Sequence, residues 1–222
     1  NLVTGVQTCA LPICANLSDE DKAVYSKLSE ELSLTTLQFS KNVLAATNAY
    51  TLHITDSTEL GGLPEFVKTM GAETAAEKGL EGWAFTLDYP SYGPFLKYST
   101  NRELRKQIWM AYNTRAIGGE NDNTEIVKKI VDLRIKIANI LGYETYADYA
   151  LEERMAKNRK TVDEFVMQLL KPSMEFAKKD VADVLAYAKK NGFEENVLQP
   201  WDFSYWSDTM QKSANPSTAC KT

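Results

Sequence analysis

Residues 122–141 read DNTEIVKKIVDLRIKIANIL, and this stretch sets the fold class. Ile126, Ile130, Leu133, Ile137 and Leu141 recur every three or four positions, which lays one apolar stripe along a helix. Asp122, followed three residues later by Glu125, marks the start, and Gly142 supplies the stop. The same grammar extends in both directions. Towards the C-terminus, residues 146–155 read as a short helix. Thr161 with Glu164 opens a long one to Lys190, closed by Asn191 and Gly192, and Pro172 is expected to kink or split it near Leu170. Pro200 starts a further helix through WDFSYWSDTM. Towards the N-terminus, Thr100 with Glu103 opens RELRKQIWMAYNTRA, and Gly118-Gly119 ends it. Ser18 with Asp21 opens a helix to about Ala46, with Val24, Leu28, Leu32, Leu34, Phe39, Val43 and Leu44 as its apolar positions. Pro64 lies in the first turn of a helix reaching about Glu77. Only residues 50–55 (YTLHIT) and 83–87 (WAFTL) read as strands, and they are expected to pair as a small appendage. The fold class is mainly α: a multi-helix array with one two-stranded β element.

The bulk properties limit function. The chain has 222 residues, 44% hydrophobic and 25% charged, with a net charge of -5. That acidic balance excludes a general nucleic-acid binder, and no apolar run is long enough to span a bilayer. Cys9, Cys14 and Cys220 sit at the ends without C-x-x-C spacing, so they define neither a disulfide framework nor a zinc knuckle.

Chemistry is limited by a single histidine, His53. It could act as a base or ligand, but no Cys or carboxylate cluster surrounds it, and the reading is a strand histidine facing away from Leu52 and Ile54. Glu152 and Glu153, next to Arg154, diverge by about 100° on a helix and cannot converge on one substrate. Residues 119–123 (GENDN) are rich in oxygen but lack calcium-loop spacing, and capping accounts for Asp122 and Asn123. Gly61-Gly62 reads as a turn rather than a phosphate loop. Trp201, Phe203, Tyr205 and Trp206 could stack bases, yet without a basic groove they read as a packed helix interface. Residues 89–98 (YPSYGPFLKY) read as a rigid aromatic turn that could line a peptide-binding surface. The expectation is no catalytic, cofactor-binding or metal residue in this chain.

The two ends differ from the body. Residues 3–13 (VTGVQTCALPI) resemble the conceptual translation of a common sequencing adapter, so residues 1–14 are taken as an artefactual or disordered leader. Residues 212–222 (KSANPSTACKT) are taken as a disordered or frameshifted tail, which leaves 15–211 as the helical segment.

In that segment, residues 37–50 (LQFSKNVLAATNAY), 63–105, 118–158 and 198–208 (LQPWDFSYWSD) together resemble the thimet oligopeptidase family of zinc metallopeptidases, in its bacterial peptidyl-dipeptidase and oligopeptidase A branch. The resemblance implies a large helical ellipsoid in which two halves enclose a channel. It also implies a zinc site held by H-E-x-x-H plus a downstream Glu, with the motif Glu activating water for hydrolysis of short peptides. Those residues lie C-terminal to W-D-F-x-Y, so none maps onto this chain. The resemblance therefore implies a segment that precedes the catalytic core. Zinc belongs to the full-length protein and is not bound here; the segment is inactive alone and leaves apolar helix faces exposed for the missing C-terminal half. Cytoplasmic location is expected, with periplasmic the alternative. The competing reading is a free-standing helical peptide-binding or scaffold protein without catalysis.

Overall fold

The computed structural model describes residues 17–214, and the leader and most of the tail lie outside them. The elements in chain order are α1 (Asp19–Ala49), β1 (Leu52–Ile54), a 3-10 turn (Ser57–Leu60), α2 (Glu65–Glu77), β2 (Trp83–Phe85), α3 (Tyr89–Tyr98), α4 (Arg102–Asn113), α5 (Thr124–Ile140), α6 (Tyr146–Leu151), α7 (Arg159–Lys190) and α8 (Pro200–Ala214). They divide into two compact units. Unit 1 holds residues up to Val43 together with Ala116–Lys171; unit 2 holds Leu44–Arg115 and residues from Pro172 onward.

Within unit 1, α1 begins as its sequence dictates: the Asp21 amide donates to Ser18 Oγ at 3.1 Å, and Ser18 Oγ donates back to the Asp21 carboxylate at 2.7 Å. The apolar stripe of α5 is also realised, with Leu133 and Ile137 buried and Ile126, Ile130 and Leu141 half-buried. On α1 the apolar positions divide: Leu28, Leu32, Phe39 and Val43 turn inward, whereas Val24, Leu34 and Leu44 are exposed.

The cap of α5 departs from expectation. Asp122 accepts from the Thr124 amide at 2.9 Å, as a cap should, but Asn123 makes no capping bond. Its amide is buried and turned sideways, donating to the Phe39 carbonyl at 3.1 Å and accepting from Asn42 Nδ2 at 3.0 Å. A buried amide must find partners, and here they tie α1 to the start of α5.

The remaining helix ends of unit 1 also shift. α6 stops at Leu151 rather than continuing to Met155, so Glu152 and Glu153 occupy an exposed turn. α7 starts earlier than its Thr161–Glu164 pair suggests, because Asn158 Oδ1 accepts from the Thr161 amide at 2.9 Å. At the α6 cap, Asp148 accepts from Thr145 Oγ1 at 2.7 Å and from Arg159 Nε at 2.8 Å. The Thr145 hydroxyl, then Arg159, hold the Asp148 carboxyl below the usual aspartate range. A depressed folded pKa gives stability that is complete above the unfolded aspartate value and is lost as pH falls through the folded one. Asp148→Asn should therefore flatten the acid limb of a stability-against-pH curve measured by circular dichroism, while leaving the neutral limb parallel to that of the parent.

Unit 2 is built around the β pair. β1 and β2 are antiparallel, with Leu52 opposite Phe85, His53 opposite Ala84 and Ile54 opposite Trp83. Alternation puts Leu52 and Ile54 inward, and they join Leu60, Leu63, Val67, Phe85, Leu87, Tyr92, Phe95, Leu96 and Ile108 in one core cluster. The β element is thus the centre of this unit and not an appendage. It is covered by α2, α3 and α4, which supply the apolar area that two short strands lack.

Residues 89–98 form a helix, α3, and not the expected turn. Asp88 ends the preceding segment, and its carbonyl accepts from the Ser91 and Tyr92 amides at 2.9 and 2.8 Å. Pro90 falls in the first turn, where a missing N–H costs nothing. Pro94 does remove an interior bond, and burial of Tyr92, Phe95 and Leu96 offsets it. α4 likewise starts one residue later than expected: Asn101, not Thr100, caps it by accepting from the Leu104 amide at 3.2 Å. The Thr100 amide instead donates to the Gly61 carbonyl at 2.9 Å. α4 also ends at Asn113, before Gly118-Gly119.

That contact explains Gly61-Gly62. A Cβ on Gly62 would lie 2.3 Å from the Tyr98 carbonyl oxygen, and φ there is +79°. Gly62→Ala is expected to cost about 1–3 kcal/mol in urea denaturation, from backbone strain and the clash together. Gly79→Ala, which also has positive φ but open space around it, should cost less.

α7 is assigned as one unbroken helix through Pro172, although the two units divide at that residue. α8 starts at Pro200 as read and runs to Ala214, so Lys212, Ser213 and Ala214 are helical. Among the described residues no helix is long and apolar enough to cross a membrane.

Candidate functional site

In unit 2 the cap at Asn101 fixes the phase of α4, and that phase puts Arg102 and Arg105 on one face, three residues apart. Pro200 fixes α8 in the same way and places Asp202 in its first turn. The three charges converge. Asp202 is fully buried and Arg105 only 2% exposed. Arg102 donates to Asp202 through Nε at 2.9 Å and Nη2 at 3.0 Å, a bidentate pair, and Arg105 Nη2 donates to Asp202 Oδ1 at 3.1 Å. Asp202 also reaches back to accept from the Gln199 amide at 3.1 Å, half of a capping box.

Arg105 uses its remaining donors on carbonyls: Ser99 at 2.8 Å, Thr100 at 3.3 Å and Trp201 at 3.0 Å. Burial pushes its guanidinium down from the ordinary range against the pull of Asp202, while the Asp202 hydrogen bond pushes Arg102 up. Both stay charged, since guanidinium lies far above neutral pH in either direction.

Aromatic side chains enclose this centre. The Arg105 guanidinium sits 4.4 Å from the Tyr205 ring and that of Arg102 5.4 Å from Phe193. Trp109 and Trp201 meet edge-to-face at 5.6 Å, and Trp206 touches Tyr187, Phe193 and Tyr205. Trp201, Tyr205 and Trp206 therefore form the helix interface that their density suggested; Phe203, 37% exposed, points outward.

Two clefts flank the centre. One, about 470 Å³, is bordered by Tyr89, Tyr92, Lys97, Trp109, Ser204 and Asp208. Asp208 lies between Lys97 and Lys212, 2.9 Å from each, and its hydrogen bond raises the Lys97 pKa. The other, about 410 Å³, is bordered by Arg102, Phe193, Glu195, Tyr205 and Trp206. These clefts offer aromatic faces, cations and hydroxyls, which suit binding. Ser207 Oγ donates to the Ser204 carbonyl, and no histidine stands near either serine.

The residues singled out from sequence are scattered. His53 sits on the outer face of β1, its Nε2 2.7 Å from the Glu81 carbonyl, so that nitrogen donates. Gly119 adopts a positive φ of 71° in the turn before α5. Among the described residues no three His, Cys, Asp or Glu side chains gather as metal ligands. The Arg102–Arg105–Asp202 centre was missed. Its sequence signals are an R-x-x-R pair just inside a helix start and one aspartate in an aromatic run, and neither indicates a partner about a hundred residues away.

The family model of Peptidase family M3 matches residues 95–219, more than half the chain and all of this centre. The chain belongs to peptidase family M3. Among its M3 relatives, oligopeptidase A of Escherichia coli is 37% identical over 201 residues, covering 88% of this chain and 29% of its own length. Probable cytosolic oligopeptidase A of Arabidopsis thaliana is 36% identical over 205 residues, covering 89% and 29%. Dipeptidyl carboxypeptidase of Escherichia coli is 29% identical over 202 residues, with the same coverage. The chain thus spans less than a third of the length of these M3 relatives, and the family resemblance read from its motifs is its actual membership.

Proposed function

We propose that this chain is the helical segment preceding the catalytic core of a zinc-dependent metallopeptidase that hydrolyses short peptides. The observation that carries the reading is the M3 match across residues 95–219, joined by relatives named for oligopeptidase and dipeptidyl carboxypeptidase activity. The residues present do not fit zinc: the one histidine is engaged with a carbonyl, and no ligand set converges among the described residues. Zinc chemistry is therefore assigned to the part of an M3 chain that this sequence does not contain, and no step is routed through His53.

What this segment supplies is framework. The buried Arg102–Arg105–Asp202 centre ties the first turn of α8 to the first turn of α4. Cytoplasmic location is part of the proposal and is checked by fractionation of the source cells. A helical peptide-binding scaffold is the second reading, favoured by the cleft between Tyr89 and Asp208.

The test joins this chain to the part of Escherichia coli oligopeptidase A that follows the matched stretch. Chelator-sensitive cleavage of a short unstructured peptide is expected from the joined protein, with neither zinc nor cleavage from the 222-residue chain alone. Stoichiometric zinc and chelator-sensitive cleavage by the chain alone would overturn the assignment. Peptide binding by the chain alone, with no activity after joining, would favour the scaffold.

A further inference from the structure

Asn191 stands directly after α7 and is followed by Gly192, the one place in the chain where glycine follows asparagine. That pairing carries a chemistry of its own. The amide nitrogen of the second residue can attack the side-chain carbon of the first and close a five-membered ring, and a glycine, lacking Cβ, does not obstruct the approach.

The turn leaves that approach open. Both residues are exposed and border the 410 Å³ cleft beside Phe193, so water reaches them. Gly192 has a φ of +94°, and no atom beyond its chain neighbours lies within 4 Å of where a Cβ would stand. Its amide, the nucleophile, donates to the Lys189 carbonyl at 3.4 Å, long for a hydrogen bond. The Asn191 carboxamide donates through Nδ2 to the Tyr187 carbonyl at 2.9 Å, on the exposed side of the helix end. Freeing it breaks one ordinary hydrogen bond, which slows ring closure by about tenfold at most.

The same turn is structural. The Phe193 amide donates to the Ala188 carbonyl at 3.0 Å, the outer bond of a Schellman turn with Gly192 in the left-handed position. It delivers Phe193, 8% exposed, to within 5.4 Å of the Arg102 guanidinium and 5.9 Å of the Trp206 ring.

We propose that Asn191–Gly192 is a site of spontaneous deamidation and isoaspartate formation that loosens Phe193 from the buried charge centre. The Gly192 nitrogen bonds to Asn191 Cγ, the Cγ–Nδ2 bond breaks, and ammonia leaves with the Gly192 amide proton. Solvent water then opens the succinimide. Opening at the former side-chain carbonyl gives aspartate; opening at the main-chain carbonyl gives isoaspartate, whose chain runs through Cβ. Water is consumed and ammonia released, with no oxidant or reductant. Isoaspartate adds one backbone atom inside the loop that the Phe193–Ala188 bond closes, and that bond is lost. Either product also puts a new carboxylate at the negative end of α7, beside Glu194 and Glu195.

To test this, the 222-residue chain is aged in mildly alkaline buffer beside a free peptide of residues 187–196, until the peptide is fully converted. Peptide mapping by mass spectrometry, with isoaspartyl methyltransferase labelling, reads the product. A measurable isoaspartate fraction at position 191 is expected, rising with pH because the Gly192 amide must shed its proton. Asn191 still intact at that time would overturn the site. Asn191→Gln, which must close a larger ring, should remove the label, and a label that persists in this variant would also overturn it. The converted chain, separated by ion exchange, should melt about 3 °C or more below the unaged one. Asn191→Asp, with the new charge but the normal backbone, should lose less. Equal melting of converted and unaged chains would overturn the link to Phe193.

Discussion

Replacing Asp202 with alanine should cost about 3–5 kcal/mol of unit 2's stability, the range seen when one partner of a buried ion pair is removed. The reason is the charge left behind. Arg105 is 2% exposed and would keep its guanidinium inside the protein with no carboxylate, beside a partly exposed Arg102. The carbonyls of Ser99, Thr100 and Trp201 would still accept from Arg105, but they carry no net charge. The Gln199 amide would also lose its acceptor at the start of α8. Urea denaturation followed by tryptophan fluorescence reads this directly, because Trp83, Trp109, Trp201 and Trp206 all belong to unit 2. Arg102→Gln should cost less, since its side chain is 32% exposed and water can replace it. A loss below about 1 kcal/mol for Asp202→Ala would mean that the centre is not the clamp described.

Phe95→Ala should cost a similar amount, about 3–5 kcal/mol, through loss of packing alone. Phe95 is fully buried and its ring lies 4.7 Å from that of Phe85, with the planes inclined at 56°. The site cannot collapse easily. Phe85 is itself held in place, because Gly71 of α2 lies so close that an added Cβ would stand 2.8 Å from its ring. The void would therefore persist, and its cost adds to the lost transfer energy. Phe95→Leu, which keeps most of the volume, should cost roughly 1.5 kcal/mol or less. The two alanine variants also differ in salt response: the Asp202 loss has an electrostatic part and the Phe95 loss does not.

Local patterns predicted what local physics controls. The Ser18 and Asp21 side chains form their hydrogen-bonded box, and the α5 stripe buries where its period says. The alternation in residues 50–55 placed His53 on the outside, where it is found. Misreadings arose wherever a distant segment competed. The Thr100 amide donates to Gly61, so the cap of α4 passes to Asn101. Asn123 gives up capping for Phe39 and Asn42. Residues 89–98 look like a turn because of Pro90, Pro94 and Gly93, yet the core of unit 2 provides enough burial to hold them in a helix.

The sequence alone determined the helical class, the pairing of two short strands and the M3 family, because helix periodicity, caps and family motifs are written in neighbouring residues. It holds a single histidine, where an H-E-x-x-H motif has two. Only the tertiary structure decided that Arg102, Arg105 and Asp202 form one buried charge centre and that the β pair lies at the heart of unit 2. The physical reason is the same in each case. A charge or an apolar ladder gains its meaning from what packs against it, and for Asp202 that is a guanidinium 97 residues away in the chain.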